Sequence, residues 1–141
     1  MTETECIFCK IVAGEIPSAK IYEDEDVVAF LDINPTTKGH TLVVPKKHVA
    51  TFLEADDETI EKLIKVSRDV GKAIVKAMNA DGLNIGINNG KAAGQIIFHL
   101  HFHLIPRYAN DGLKCWPQGK YEEGEIEKVK DEILKIMQKE K

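Results

Sequence analysis

Aromatic residues are scarce in this sequence: one Trp, three Tyr and five Phe make up 6% of 141 residues. Long apolar runs are missing too, the longest being Val27 to Leu31. A helix that spans a bilayer takes about 20 such residues, so no membrane partner is expected. A basic excess is also absent. Nineteen Lys and Arg face 23 Asp and Glu, a formal net charge of −4, with a pI near 5.7. A surface that held nucleic acid by its phosphates would need the opposite balance, so no nucleic-acid partner is expected either. No repeat, low-complexity tract or Ser/Gly linker interrupts the chain, and the opening Met1-Thr2-Glu3-Thr4-Glu5 is acidic, unlike a secretory or transit signal. The expectation is a single domain over residues 1–141, in the cytoplasm.

What is present is a globular composition, 43% hydrophobic and 30% charged, in a chain long enough to bury roughly two-thirds of its unfolded surface. Val27 to Asp32 reads as a strand closed by the turn Asn34-Pro35, and His40 to Pro45 as a second strand stopped by proline. From Asp56 the period changes. Ile60, Leu63, Ile64, Val70, Ile74 and Ala77 recur at helical spacing up to Gly82, which predicts a helix of about six turns. Leu83 to Asn88 alternates as a strand, with Gly86 marking a bulge or a close backbone approach. Asn89 to Gln95 is a polar loop, Ile96 to Pro106 a further strand that forms a hairpin with the previous one, and Ile126 to Ile136 a C-terminal helix. This order predicts an α+β fold on a mainly antiparallel sheet.

Three cysteines occur, two of them as Cys6-Ile7-Phe8-Cys9. In a reducing compartment that pair reads as half a metal site or as a redox dithiol. Cys115 reads as a spare surface thiol.

The densest chemistry lies in Phe98-His99-Leu100-His101-Phe102-His103-Leu104-Ile105-Pro106. On a strand the three histidines share one face, about 6.6 Å apart, opposite Phe98, Leu100, Phe102 and Leu104. A single buried histidine is usually satisfied by one hydrogen bond, but three in strict alternation point to function. Two chemistries fit: imidazoles on a metal, or an imidazole that attacks phosphorus and carries a covalent phosphoryl group. The preceding loop, Asn88-Asn89-Gly90-Lys91-Ala92-Ala93-Gly94-Gln95, favours phosphorus, since its glycines let backbone amides approach an anion.

His99-Leu100-His101-Phe102-His103-Leu104-Ile105 resembles the signature of the histidine triad (HIT) family of nucleotide hydrolases and transferases. Cys6 to Ile11, Gly14 to Pro17, Phe30 to Ile33, Gly39 to His48 and Asn88 to Gln95 look like further blocks of that family, in its order. The likeness runs from residue 6 to about 108 and leans towards small bacterial and archaeal members and the Hint, or nucleoside phosphoramidase, branch. It implies a sheet of about five antiparallel strands with a long central helix and a C-terminal helix, paired as a homodimer.

The resemblance also implies roles. His101 matches the nucleophile, His103 its partner near the phosphate and leaving group, and His40 the fourth histidine. Asp32 matches the acceptor of the ribose hydroxyls. Ile7, Phe8, Ile11, Phe30, Leu31, Ile33 and Leu42 match the slot for the base. Asn88, Gly94, Gln95 and Ile96 match the phosphate side, where Ile96 replaces a Ser or Thr common in the family. Cys6, Cys9, His48 and His99 match a structural zinc site of the members that keep the cysteine pair. Trp116-Pro117 is similar to a pair that shapes the leaving-group side in the Hint branch, or else anchors a surface segment.

The expected activity is hydrolysis of a purine nucleoside phosphoramidate, or a related conjugate, through a nucleotidyl-histidine. Three alternatives stand beside it. One is a dinucleoside polyphosphate hydrolase of the Fhit type. Another is a catalytic-zinc hydrolase with His99, His101 and His103 on the metal, which leaves Cys6, Cys9 and His48 without a task. The third is a nucleotide-binding module with weak catalysis, suggested by Ile96.

Overall fold

A computed structural model describes residues 5–140, so the acidic opening Met1 to Thr4 lies outside the described residues. Residues 5–111 form one compact unit and residues 112–140 a second.

The first unit is built on a five-stranded antiparallel sheet: β1 (Lys20–Glu23), β2 (Val27–Leu31), β3 (Thr41–Pro45), β4 (Gly82–Ile87) and β5 (Phe102–Arg107), in the order β1-β2-β3-β5-β4. Alternation in β2 and β3 sends side chains to two separate cores. Val27, Ala29 and Val43 join Phe102 and Leu104 of β5 against the long helix α2 (Asp57–Ala77), through Leu63, Val66, Val70 and Ile74. Val28, Phe30, Leu42 and Val44 face the other way, against Phe8 and Ile11 of the short helix α1 (Ile7–Val12). The sheet is therefore covered on both faces, and the α1 face holds the candidate site.

Each element has a local cause. Asp56 caps α2 by accepting from Thr59 N–H at 2.8 Å, with Asp57 and Glu58 in the first turn to complement the helix dipole. The helix stops at Asn79, whose φ of +52° begins the reversal. Gly82 is the first residue of β4 rather than the stop signal. Gly39 has φ +98°, and a Cβ there would lie 2.8 Å from Met78 Cγ, so only glycine lets the chain turn under α2 into β3.

Two further expectations need correction. The strand predicted from Ile96 begins only at Phe102: residues 96–101 have no strand pairing, and His99 and His101 sit in irregular backbone. Gly86 marks neither a bulge nor a close approach. It pairs in regular register opposite His103, with open space above it. Two elements also lacked a sequence signal, α1 and β1. The six residues of α1 are capped by Cys6, whose Sγ accepts from Cys9 N–H at 3.4 Å, and all four residues of β1 are exposed.

In the second unit, α3 (Glu125–Lys139) follows Gly124 and has no buried residue. Trp116, in the same unit, is 87% exposed.

Candidate functional site

A cavity of about 550 Å³ opens on the α1 face of the sheet. Ile7, Phe8 and Ile11 come from α1, Phe30, Leu31, Asp32 and Ile33 from β2 and the residues after it, and Leu42 from β3. Asn88, Gly94 and Ile96 bring in the polar loop, and His101 and His103 complete the wall. Every residue read for the nucleotide lines this cavity except Gln95. That side chain is 3% exposed and fully used inside the protein. Its Oε1 accepts from Gly90 N–H at 2.9 Å, while Nε2 donates to the carbonyls of Ala50 at 2.7 Å and Ile97 at 3.0 Å. Gln95 braces the loop. Ile16, Pro17, Ser18, Asn34 and Ile97 line the cavity in addition. Of these, only Ile16 and Pro17 lie in a block singled out by sequence.

The reactive atoms follow from hydrogen-bond arithmetic. A neutral imidazole has one N–H and one bare nitrogen, and the partner of either fixes both. His101 Nδ1 lies 2.7 Å from the carbonyl of His99, so it donates there and Nε2 is left with its lone pair. His40 Nδ1 accepts from Thr36 N–H at 3.0 Å, so His40 donates from Nε2 to His103 Nδ1, 2.9 Å away. His103 must then carry its hydrogen on Nε2. The rings of His101 and His103 are 4.9 Å apart, so a bare nitrogen and an N–H donor stand side by side.

Burial keeps these rings neutral. It pushes His101 and His40 below the ordinary histidine value, against the pull of the Asp32 carboxylate, and His103 down to about 4. Asp32 Oδ1 accepts from Asn34 N–H at 2.9 Å, and Oδ2 lies 3.8 Å from His40 Nε2, too far for a hydrogen bond. Oδ2 remains an acceptor at the cavity wall. Phe8 stands edge-on to Phe30 at 5.6 Å and to His101 at 5.0 Å, which ties the apolar slot to the histidine pair.

His99 faces a different task. Its Nε2 lies 2.7 Å from the carbonyl of Pro45 and donates there, which leaves Nδ1 bare. Burial lowers its pKa to about 4. Around Nδ1 gather Cys6 Sγ at 3.4 Å, Cys9 Sγ at 3.5 Å and His48 Nδ1 at 3.2 Å, with Cys9 Sγ and His48 Nδ1 3.3 Å apart. A tetrahedral ion with metal–N of about 2.0–2.1 Å and metal–S of about 2.3 Å spaces its donors about 3.3–3.8 Å apart. The four residues fit such an ion and could hold it.

Asp32, His40 and His103 also bring three donor atoms within 4.8 Å. The Thr36 N–H bond excludes them as a metal site, because it keeps the hydrogen on His40 Nε2. A second groove, of about 420 Å³, runs past Asp26, Lys47, Asp56 and Lys62, but these charges pair with one another, Lys62 with Asp26 at 2.7 Å and Lys47 with Asp56 at 3.0 Å.

Comparison with known proteins gives a consistent answer. The family model described as HIT domain matches residues 13–110. An uncharacterised HIT-like protein of Methanocaldococcus jannaschii is 52% identical over 132 residues, 92% of this chain and 96% of its own length. The Arabidopsis thaliana protein named adenylylsulfatase HINT3 is 43% identical over 111 residues, 79% of this chain but 56% of the plant protein. Among solved structures, one from Streptococcus mutans UA159 superposes with a TM-score of 0.91 at 46% identity, covering 96% of this chain and 87% of the other. A Zn-bound histidine triad family protein from Mycobacterium smegmatis superposes at 0.76 with 41% identity, covering 86% and 88%. The chain belongs to the histidine triad (HIT) family, whose members are nucleotide hydrolases and transferases.

Proposed function

We propose that this protein hydrolyses purine nucleoside phosphoramidates, or related nucleotide conjugates, by way of a nucleotidyl group on His101. The carrying observation is the bare Nε2 of His101 in the wall of a cavity with an apolar slot. A neutral imidazole can approach phosphate oxygens that would repel an anion, and burial keeps it neutral. Nε2 attacks phosphorus, and the Nδ1–H bond to the His99 carbonyl takes up the positive charge that forms on the ring. The N–H of His103 holds the leaving nitrogen by a hydrogen bond, and that nitrogen takes its proton from solvent water as the P–N bond breaks. Water then attacks the nucleotidylated His101, gives up a proton to solvent and frees the nucleoside monophosphate, which restores the neutral ring. Phe8, Phe30 and Leu42 hold the base, Asp32 Oδ2 the ribose hydroxyls, and Asn88 the phosphate, which the bare Cα of Gly94 lets come close. The adenylylsulfatase among the relatives supports the adenylyl half of this substrate.

Cys6, Cys9, His48 and His99 hold zinc in this reading, supported by the donor spacing and by the Zn-bound relative. The ion would supply a structural cross-link. We further infer one functional domain, a cytoplasmic location and a homodimer; the outer edge of β4, unpaired among the described residues and with Ile85 51% exposed, is an edge that a second copy would cover.

A nucleotide-binding module with weak catalysis is the second reading. It is favoured by Ile96, which lines the cavity 85% exposed where a hydroxyl would serve the phosphate better. One experiment separates the two: incubation with adenosine 5′-phosphoramidate, rapid quenching at mild pH, and intact mass. A nucleotidyl adduct absent from His101→Ala supports the enzyme. Tight nucleoside monophosphate binding with neither adduct nor turnover supports the module.

A further inference from the structure

Glycine inside a strand needs a reason, because it loosens the backbone and packs nothing. At Gly86, within β4, neither usual reason holds. Its φ lies outside the left-handed region, and a Cβ built on it would meet nothing within 4 Å. The residue is exposed, so the missing side chain leaves space above the sheet and relieves no clash.

The strand register shows what that space adjoins. Phe30 pairs with Leu42, Leu42 with His103 and His103 with Gly86, and directly opposed residues share a face of the sheet. These four residues form one row across β2, β3, β5 and β4, about 4.8 Å from strand to strand. Leu83 and Ile87 pack against the α2 core, so Gly86, by alternation, faces the side that holds the cavity. The cavity lining ends at His103 and takes no residue from β4 itself. Phe30 and Leu42 belong to the base slot, and His103 stands at the leaving nitrogen. Continued in the same direction, the row brings the substituent on that nitrogen over Gly86.

The surroundings choose its chemistry. On the same face lie Asn84 and Ile105, opposite each other in register, with Ile105 partly exposed. Arg107 follows, but its guanidinium donates to both carboxylate oxygens of Asp111, at 2.8 and 3.0 Å, and to Asn84 Oδ1 at 2.7 Å. A polyphosphate tail would ask for a cation that is not already paired, whereas an apolar group can rest on Ile105 and the bare glycine.

We propose that Gly86 is a specificity-determining position, the floor of a shelf that takes the apolar body of a leaving amine and that a side chain would close. This inference rests on the phosphoramidate reading of the same site. It makes the leaving group an amine that carries a ring or a branched carbon chain, neither ammonia nor a second nucleotide.

Two substrates test this on the full chain: adenosine 5′-phosphoramidate, which releases ammonia, and its N-benzyl derivative. The quantity read is the ratio of their kcat/KM values, benzyl over unsubstituted. Gly86→Val should lower that ratio tenfold or more, and Gly86→Ala should lower it less, in order of side-chain size. Valine suits a strand and its Cβ has room here, so the melting temperature should hold. A general disturbance of His103 would slow both substrates together and leave the ratio where it was. A ratio kept within twofold in Gly86→Val would overturn the inference and leave the phosphoramidate reading standing. Failure of the unaltered chain to turn over either amide would overturn that reading and this inference with it.

Discussion

At His101 the 2.7 Å bond from Nδ1 to the His99 carbonyl leaves Nε2 as base and nucleophile, so His101→Ala should lower turnover by several orders of magnitude while nucleotide still binds. His103 offers an N–H to the leaving group, and His103→Ala should cost roughly 10²–10³-fold in turnover, as loss of one positioned hydrogen-bond donor does. His99→Ala should differ in kind, with zinc content and melting temperature falling first and activity as a consequence. Zinc stoichiometry, melting temperature, affinity and turnover of the three variants check the assignment; loss of zinc in His101→Ala would put it out of register. The lowered pKa values set a pH prediction as well. An unfolded histidine takes its proton near pH 6.5, whereas folded His103 does so near 4. The unfolded chain therefore gains protons first, and stability, complete above pH 6.5, should be lost as pH falls towards 4. Urea midpoints at pH 7.5, 6 and 5 should decrease in that order. The acid limb of kcat/KM should fall below pH 6.5, because His101 is also held neutral.

Among the elements, α2 shows how far sequence alone can reach. Its apolar spacing, its acidic first turn and Asp56 predict the helix, and Leu63, completely buried against the sheet, is one of those periodic positions. Leu63→Ala should cost about 2–5 kcal/mol in a denaturant titration; a cost near zero would place the core elsewhere. β2 and β3 were legible as short apolar runs closed by Asn34-Pro35 and by Pro45, since both of their faces are buried, and β4 by the alternation of Leu83 to Asn88. β1 was not, because four exposed residues carry no period, and α1 was not, because six residues are too few for one. The alternation His99-Leu100-His101 looked like strand, yet an alternating sequence specifies which way side chains face and not whether the backbone is paired. Within the site, Gln95 shows a further limit: a polar residue beside a phosphate loop reads as a ligand contact, and only the positions of Gly90, Ala50 and Ile97 reveal its bracing role. Chelation, or Cys6→Ser with Cys9→Ser, should lower the melting temperature yet leave residual activity, since His101 itself remains. Abolished turnover at an unchanged melting temperature would instead make the zinc catalytic.

For the whole molecule the exposed edge of β4 predicts pairing with a second copy. Sedimentation at micromolar concentration should give twice the chain mass, and a monomer there would refute it. Another consequence reaches across the molecule. The proton positions of His40, His99 and His101 are set by main-chain groups, namely Thr36 N–H, Pro45 O and His99 O, and that of His103 follows from His40. Peptide groups are common to every amino acid, so sequence drift at positions 36 and 45 leaves the polarity of the site intact. Proline at 36 is the one genetic change that deletes a peptide N–H there. Thr36→Pro would free His40 to reverse its ring, turn the His103 donor into an acceptor and silence a catalyst whose histidines are all still in place.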